Sequence, residues 1–374
     1  MPGARPQMVS VPALVCPNTL SQKRRCPSMV DFKQYVTRLE KKVPTLQVHL
    51  ESRRHTMLYT HSSTTLNQTF HSASIGKLVC ATLMMQAIEA GLVTLDTPVR
   101  DVLQAGMLNH LFVYKDTDYQ HQVTIEHLLG HTSGTNDYFE GKTHQHPKFI
   151  KQVFADKDHH FTPDELLDFT RKHQRAVGRP GERFLYSDTG YVLLGKILEA
   201  LYQKPYAVLL RENIFDKLDM ADTCLCFYDP RFDASKLAPV VYKGIDMRLA
   251  NSLSCDYAGG GLQTSAADLA RFLKGLFTDQ LISRASREKM MVPRHRFHGF
   301  MRYGLGMIEV KPNRLAPWIR GCPTLYGGLG SLSVHAFYDP VHDDVYVINC
   351  GDASKMRLSF MALLYMIKWL NKTH

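Results

Sequence analysis

The chain has 374 residues, of which 44% are hydrophobic and 21% charged, the composition of an ordinary globular protein with a full core. Its net charge of +10 comes from scattered lysines and arginines, so we expect no nucleic-acid binding. No apolar run approaches the ~20 residues of a membrane span, and we expect no stable membrane insertion.

Residues 1–28 contain no Asp or Glu and include the basic cluster Lys23-Arg24-Arg25. Their apolar stretch, residues 8–15, is short and is broken by Pro12, which makes a poor signal-peptide core. We expect a disordered basic tail over 1–28, or translation that starts at Met29, followed by one domain over 29–374.

The eight cysteines form no Cys-x-x-Cys pair, which argues against a zinc site and favours a reducing compartment. We expect a cytoplasmic location, no metal and no cofactor.

Hydrophobic periodicity predicts the following elements in chain order. They are a helix over 31–42, strands over 46–50 and 57–59, a helix over 75–90, short helices between 92 and 174, helices over 191–201 and 266–277, strands over 303–310, 331–338 and 345–349, and a helix over 355–370. Strands at both ends predict an α+β fold. One antiparallel sheet, from about 44–62 and 300–350, is flanked by helices, and a mostly helical region of about 74–290 is inserted.

The helix over 75–90 is apolar on nearly every face, with charge only at Lys77 and Glu89. Ser74 lies three residues before Lys77, so both side chains project from one face. A hydroxyl at a helix N-terminus, beside an amine that burial drives toward neutrality, is typical of an activated nucleophile. The alternative is an N-cap serine beside a lysine that reaches to solvent.

Further segments together indicate a family. The chain resembles the serine β-lactamase-like group, which contains class C β-lactamases, D-alanyl-D-alanine carboxypeptidases and related esterases. The resemblance covers about 31–370 and rests on Ser74-Ile75-Gly76-Lys77 and on residues 91–96, 123–134, 180–191, 214–220, 259–269 and 303–306.

The resemblance implies that Ser74 is the nucleophile that forms an acyl-enzyme and that Lys77 relays a proton. It implies that Tyr186, the tyrosine of the second motif, exchanges protons with Ser74 and the leaving group. The alternative is that Tyr186 is only a packed aromatic side chain at a turn.

The third motif is assigned to Tyr326-Gly327-Gly328. Glycine there allows a substrate backbone to lie against the strand edge. The resemblance implies an oxyanion hole made by the N–H groups of Ser74 and Leu329. The alternative is a glycine-rich start of a strand with no catalytic part.

Two residues depart from the family pattern. Asp188 stands where the second motif usually has asparagine, and a carboxylate there stabilises the ammonium form of Lys77. Tyr326 stands where lysine or histidine commonly helps to hold a substrate carboxylate. Both changes argue against efficient β-lactam hydrolysis and favour a substrate without that carboxylate.

His131 invites comparison with a Ser-His pair, but in this family the segment 131–134 resembles a structural turn. Asp137 and Tyr138 follow it and are candidates to line the cleft.

The leading hypothesis is a serine hydrolase that acts on an ester or amide, with a small molecule or a peptide-like compound as substrate. The first alternative is a β-lactamase or D-Ala-D-Ala carboxypeptidase. An alternative of another class is a non-catalytic relative that binds a peptide or has a structural role. The sequence carries no signal for an oligomeric state.

Overall fold

A computed structural model of the protein describes residues 29–65, 68–314 and 321–371. The predicted basic tail of residues 1–28 lies outside these ranges. Within them the helices are α1 (Met29–Glu40), α2 (Gly76–Glu89), α3 (Ile125–Leu129), α4 (Phe149–Ala155), α5 (Pro163–His173), α6 (Asp188–Tyr202), α7 (Tyr206–Leu210), α8 (Tyr257–Gly260), α9 (Ala266–Phe277), α10 (Arg284–Met291) and α11 (Met356–Leu370).

The strands in the same ranges are β1 (Gln47–Ser52), β2 (Met57–Ser62), β3 (Phe70–His71), β4 (Val113–Tyr114), β5 (Thr117–Asp118), β6 (Cys224–Leu225), β7 (Val241–Tyr242), β8 (Ile245–Asp246), β9 (Leu262–Thr264), β10 (His295–Arg296), β11 (Met301–Tyr303), β12 (Ile308–Val310), β13 (Leu325–Gly330), β14 (Val334–Asp339) and β15 (Asp344–Asn349).

Eight strands form one antiparallel sheet in the order β10-β11-β12-β13-β14-β15-β1-β2. The N-terminal strand β1 lies beside the C-terminal strand β15, with Val48 opposite Ile348. The predicted α+β class, with a sheet built from both termini and a mostly helical insertion, is therefore confirmed. A smaller sheet, in the order β3-β9-β6, lies within the helical region.

Each face of the large sheet covers its own hydrophobic core, because side chains alternate along a strand. On β14, Val334 and Ala336 belong to the core beneath the helical region, which includes α2, α6 and α9. Phe337 faces the opposite way, into a core shared with α1 and α11. None of the helices in residues 29–65, 68–314 and 321–371 has the length and hydropathy of a bilayer-crossing segment.

Several predicted elements have other bounds in the structure, such as the strand predicted over 331–338, which is β14 (Val334–Asp339). Two of the differences have a clear physical cause. The helix predicted from Tyr191 begins at Asp188, because the Ser187 hydroxyl accepts a hydrogen bond from Gly190 N (3.3 Å) and caps it. The single strand predicted over 303–310 is wrong. A turn closed by Gly304 N donating to Met307 O (2.8 Å) divides it into β11 and β12.

Candidate active site

Ser74 lies in a single 3-10 turn, Ala73–Ile75, that leads into α2. Its side chain is partly exposed, whereas Ala73 and Ile75 are buried. In the first turn of a helix the backbone N–H groups have no intrahelical acceptor. The turn therefore places the Ser74 hydroxyl beside a backbone N–H that has no acceptor within the helix.

Lys77 is 1% exposed and follows Ser74 on the same face of the helix. Its ammonium group donates to the Asp188 carboxylate, to Gly259 O at 2.5 Å and to Ser74 Oγ at 3.4 Å. The buried amine is thus fully enclosed by acceptors, and one of them is charged.

The expectation that burial drives Lys77 toward neutrality is wrong. Burial lowers its pKa and is the largest single effect, but the charge of Asp188, the hydrogen bond to that carboxylate and the interactions with Tyr186 and Tyr303 together outweigh burial. The pKa of Lys77 is raised well above its ordinary value, and the group is an ammonium ion at neutral pH. The prediction that Asp188 stabilises the ammonium form of Lys77 agrees with this raised pKa.

Tyr186 lies two residues before α6, and its ring centroid is 4.8 Å from Lys77 Nζ. Its hydroxyl interacts with the side chains of Ser74 and Lys77. Burial raises the pKa of Tyr186, and the nearby Lys77 charge opposes that rise. The ring also packs against His131 (4.4 Å between centroids) and Phe297 (5.4 Å).

Two further carboxylates lie close to Asp188. Asp137 is buried and its Oδ1 accepts a hydrogen bond from Asp188 N at 3.0 Å. Burial, together with the negative charge of Asp188, raises the pKa of Asp137 to about 7. Asp256 has a raised pKa for the same two reasons. The sequence offered Asp137 only as a neighbour of the 131–134 turn, and it carried no signal for Asp256.

The third predicted motif lies on β13, where Tyr326, Gly328 and Gly330 share one face by alternation. A Cβ on Gly328 would lie 3.5 Å from Ile75 Cα, an ordinary contact. A Cβ on Gly330 would lie only 2.6 Å from Ser72 O. The strand therefore lies directly against the Ser74 turn, and the closest approach is at Gly330.

The N–H of Leu329 points away from β14. Gly330 O accepts a hydrogen bond from Ser333 N (3.1 Å), so the backbone N–H and C=O of Gly330 face β14. Because neighbouring residues of a strand alternate, the backbone N–H and C=O of Leu329 face the opposite edge of β13. On that edge β12 pairs only with residues 325–327. The strand edge beside Leu329 is left without a β12 partner.

Tyr326 is half-buried and interacts with Glu309 on β12. Burial raises the pKa of Tyr326, and the charge of Glu309 adds to the effect. Glu309 is 3% exposed and forms ion pairs with Arg302 (2.9 Å) and Lys311 (3.2 Å). Two cations thus lie near a position whose own side chain is uncharged, which the sequence did not reveal.

His131 makes its hydrogen bond to the backbone, since Nδ1 accepts from Ser187 N at 3.1 Å. Burial, with the nearby charge of Lys77, lowers its pKa well below the ordinary value, so the ring is neutral. This arrangement supports a structural turn at residues 131–134 that binds the backbone of Ser187 and packs against Tyr186, as the sequence favoured, and not a Ser-His pair.

Asp339, His342 and Asp344 bring possible metal-ligand atoms within 4.8 Å of one another at the β14–β15 turn. Protein groups already occupy these carboxylates. Asp344 pairs with Arg54 (2.7 Å) and accepts from the Ser52 hydroxyl, while Asp339 contacts His342. The cluster is explained by these contacts and gives no support for a metal centre.

Comparisons with known proteins identify the family and the fold. A protein-family model described as Beta-lactamase matches residues 32–357. Penicillin-binding protein 4 of Amycolatopsis lactamdurans is 31% identical over 159 residues, which cover 42% of this chain and 36% of that protein. The match thus spans about a third of that relative's length.

Two solved structures share the fold. D-amino acid amidase from Ochrobactrum anthropi SV3 superposes with a TM-score of 0.73 at 22% identity, covering 90% of this chain and 97% of that one. EstCE1, a hydrolase with promiscuous acyltransferase activity, gives 0.70 at 18% identity, with 90% and 96% covered. At these identities the two structures establish the fold alone.

Proposed function

Because the chain belongs to the β-lactamase family of serine hydrolases, we propose that Ser74 attacks the carbonyl of an ester or amide and forms an acyl-enzyme. The observation that carries the proposal is the contact of the Ser74 side chain with both Lys77 and Tyr186 at the edge of β13.

Tyr186 is the proposed proton carrier. It acts as the phenolate, the minor form at neutral pH, and takes the Ser74 hydroxyl proton while the bond from Oγ to the carbonyl carbon forms. The same proton passes to the leaving oxygen or nitrogen when its bond to carbon breaks. Lys77, held as an ammonium ion by Asp188, stabilises the phenolate through its charge. Water then hydrolyses the acyl-enzyme by the reverse sequence.

The developing oxyanion is assigned to the N–H groups of Ser74 and Leu329. Gly328 leaves room for the acyl portion of the substrate to lie along the open edge of β13. Both N–H groups belong to elements that pack on each other, so they are fixed before the substrate arrives.

The charge around Ser74 argues for a substrate without a carboxylate. Asp188 compensates Lys77, Asp137 and Asp256 add further carboxyl groups, and Tyr326 contributes no cation. An anionic substrate would meet repulsion from Asp188. We therefore favour an esterase or amidase over an efficient β-lactamase, and the names of the amidase and EstCE1 relatives fit this choice.

A second candidate is a D-Ala-D-Ala carboxypeptidase or β-lactamase. One observation favours it: Arg302 and Lys311 lie beside Glu309, next to Tyr326, and can contribute positive charge toward a substrate carboxylate. The name of the penicillin-binding relative is consistent with it.

The deciding experiment is intact-mass measurement after incubation with short p-nitrophenyl esters and, separately, with a penicillin, while turnover is followed. Ser74→Ala is the control. Ester turnover with little penicillin adduct, both lost in Ser74→Ala, supports the proposal. A lasting penicillin adduct or fast penicillin turnover favours the second candidate, and no adduct with either compound favours a binding protein without catalysis.

A further inference from the structure

The residue before Ser74 has an unusual backbone. Ala73 has φ +46°, in the left-handed region that residues with a Cβ rarely adopt. Neighbouring backbone surrounds it closely. A Cβ on Gly330 would lie 2.8 Å from Ala73 Cβ, and one on Gly260 would lie 2.5 Å from Ala73 O. Such a conformation persists only where the surrounding contacts enforce it.

Hydrogen bonds at Ser72 and at Ala73 itself enforce it here. Ser72 N donates to Leu262 O (2.8 Å), and the Ser72 hydroxyl donates to Gly260 O (2.7 Å). The N–H of Ala73 itself donates to Nδ1 of His71 at 3.1 Å. The first two bonds hold Ser72, whereas the His71 bond holds the strained residue directly.

His71 is well placed to keep this bond. It lies on β3, where it pairs with Gln263 of β9, and it is 2% exposed. Burial lowers its pKa to about 4, so the imidazole is neutral near pH 7. Since Nδ1 accepts a hydrogen bond, the ring proton is on Nε2.

The protonated nitrogen faces a carboxylate. Nε2 of His71 has no hydrogen-bond partner within the described part of the chain, and it lies 3.7 Å from Asp256 Oδ2. Asp256 therefore favours the tautomer that leaves Nδ1 free for Ala73. Asp256 also interacts electrostatically with Asp188 and Lys77, so it belongs to the same charged group as the Ser74 site.

We propose that His71 is a positioning residue for the nucleophile. Its Nδ1 holds the left-handed Ala73, which sets the Ser74 hydroxyl against Lys77 and Tyr186, and Asp256 orients the imidazole. This inference rests on the proposed function of Ser74. His71 acts on the backbone of the turn and not on the substrate, because its ring is enclosed.

Three substitutions separate this role from simple packing. His71→Asn places an amide oxygen the same number of bonds from Cα as Nδ1 and keeps the acceptor. His71→Gln moves that oxygen one bond further out, and His71→Leu removes the acceptor. His335→Leu is the matched control, since His335 is also buried but bonds to Ser359 on the opposite face of the sheet.

For each variant we would measure the rate at which p-nitrophenyl acetate acylates Ser74 and the KM for that ester. Labelling by a fluorophosphonate probe and thermal unfolding would be measured on the same proteins. We expect His71→Gln and His71→Leu to acylate roughly 10- to 100-fold more slowly with unchanged KM, as displacement of a nucleophile implies. His71→Asn and His335→Leu should acylate at close to the wild-type rate.

Equal acylation by folded His71→Gln and His71→Asn would overturn the inference while leaving Ser74 as the nucleophile. This comparison stands even if His71→Leu does not fold, because both amides keep a polar side chain. A wild-type protein that is not labelled on Ser74 at all would refute the proposed function itself.

Discussion

Lys77 and Asp188 form an ion pair whose side chains are only 2% and 17% exposed. The pair joins the first turn of α2 to the first residue of α6. Burial is the largest single effect on the pKa of Lys77 and lowers it, but the charge and hydrogen bond of Asp188, together with Tyr186 and Tyr303, outweigh burial and keep the amine protonated. Lys77 is consequently a charged neighbour of Ser74, and the proposed mechanism assigns proton transfer to Tyr186.

Replacing Asp188 with asparagine should change the preference for substrate charge. Asp188→Asn removes the carboxylate that repels anions, so kcat/KM for mono-p-nitrophenyl succinate should rise roughly tenfold relative to that for p-nitrophenyl butyrate, as a ~1.4 kcal/mol change in charge interaction implies. The butyrate ester controls for a general loss of activity. An unchanged ratio would remove Asp188 from the determinants of specificity.

The same substitution should destabilise the fold, because it leaves a buried ammonium ion without its counter-charge. We expect the free energy of unfolding to fall by up to ~3 kcal/mol, with asparagine preserving part of the hydrogen bonding. Urea denaturation of both proteins at neutral pH measures this loss. A variant as stable as the wild type would show that the ion pair contributes no net stability.

Tyr186→Phe should remove the proposed proton carrier while retaining the ring that packs against His131 and Phe297. Acylation should slow by about 10²- to 10³-fold, the range for loss of a general base. The pKa of Tyr186 is raised, so the wild-type rate should increase with pH from neutral into the alkaline range as the phenolate forms. Tyr186→Phe should lose that increase, and a variant with the wild-type pH profile would assign the proton to another group.

Gly330 and Gly328 should respond differently to alanine. In Gly330→Ala the new Cβ meets Ser72 O at 2.6 Å and must displace the Ser74 turn, so kcat should fall by about 10²-fold. In Gly328→Ala the Cβ meets Ile75 Cα at 3.5 Å, and we expect a smaller loss, mainly in KM. Steady-state kinetics on one ester separates the two, and a larger kcat loss for Gly328→Ala would contradict the contact geometry.

Asp137 should make stability depend on pH. Its pKa is raised from 3.8 in the unfolded chain to about 7 in the folded protein, first by burial and then by the charge of Asp188. The folded state binds this proton more tightly, so its stabilisation is complete below about pH 4 and is lost as pH rises through about 7.

The test compares the wild type with Asp137→Asn by urea denaturation at about pH 4.5 and about pH 8.5. The advantage of the wild type in unfolding free energy should be larger at the acidic pH, by an amount on the order of 1–2 kcal/mol. A difference that is the same at both pH values would show that Asp137 does not titrate between them.

Much of the architecture could be predicted, because long periodic segments specify their own structure. Helix α9 was predicted within its observed bounds of Ala266–Phe277, and α2 was predicted to end before Gly91, whose φ of +73° stops it. The β11–β12 turn could not be predicted, since its closing bond from Gly304 to Met307 interrupts an otherwise strand-like pattern.

The candidate site was predictable only where a local motif marks it. Ser74, Lys77 and Tyr186 lie in recognisable segments, and the structure brings their side chains together. Asp256 and Glu309 reach the site through tertiary packing, with no pattern around them in the chain. His71 lies three residues before Ser74, but the role we propose for it depends on one bond from the Ala73 backbone, which composition does not reveal.

The pairing of β1 with β15 has a consequence for the order in which the protein folds. Gln47 lies opposite Asn349, so one side of β1 has no partner until the ribosome has made nearly the whole domain. During translation the β1–β2 hairpin exposes that unpaired edge, and the apolar faces of the inserted helices lack the sheet that covers them. Such long-range pairing folds slowly and is open to aggregation in the meantime. Truncation before β15 should therefore leave the large sheet incomplete at its centre.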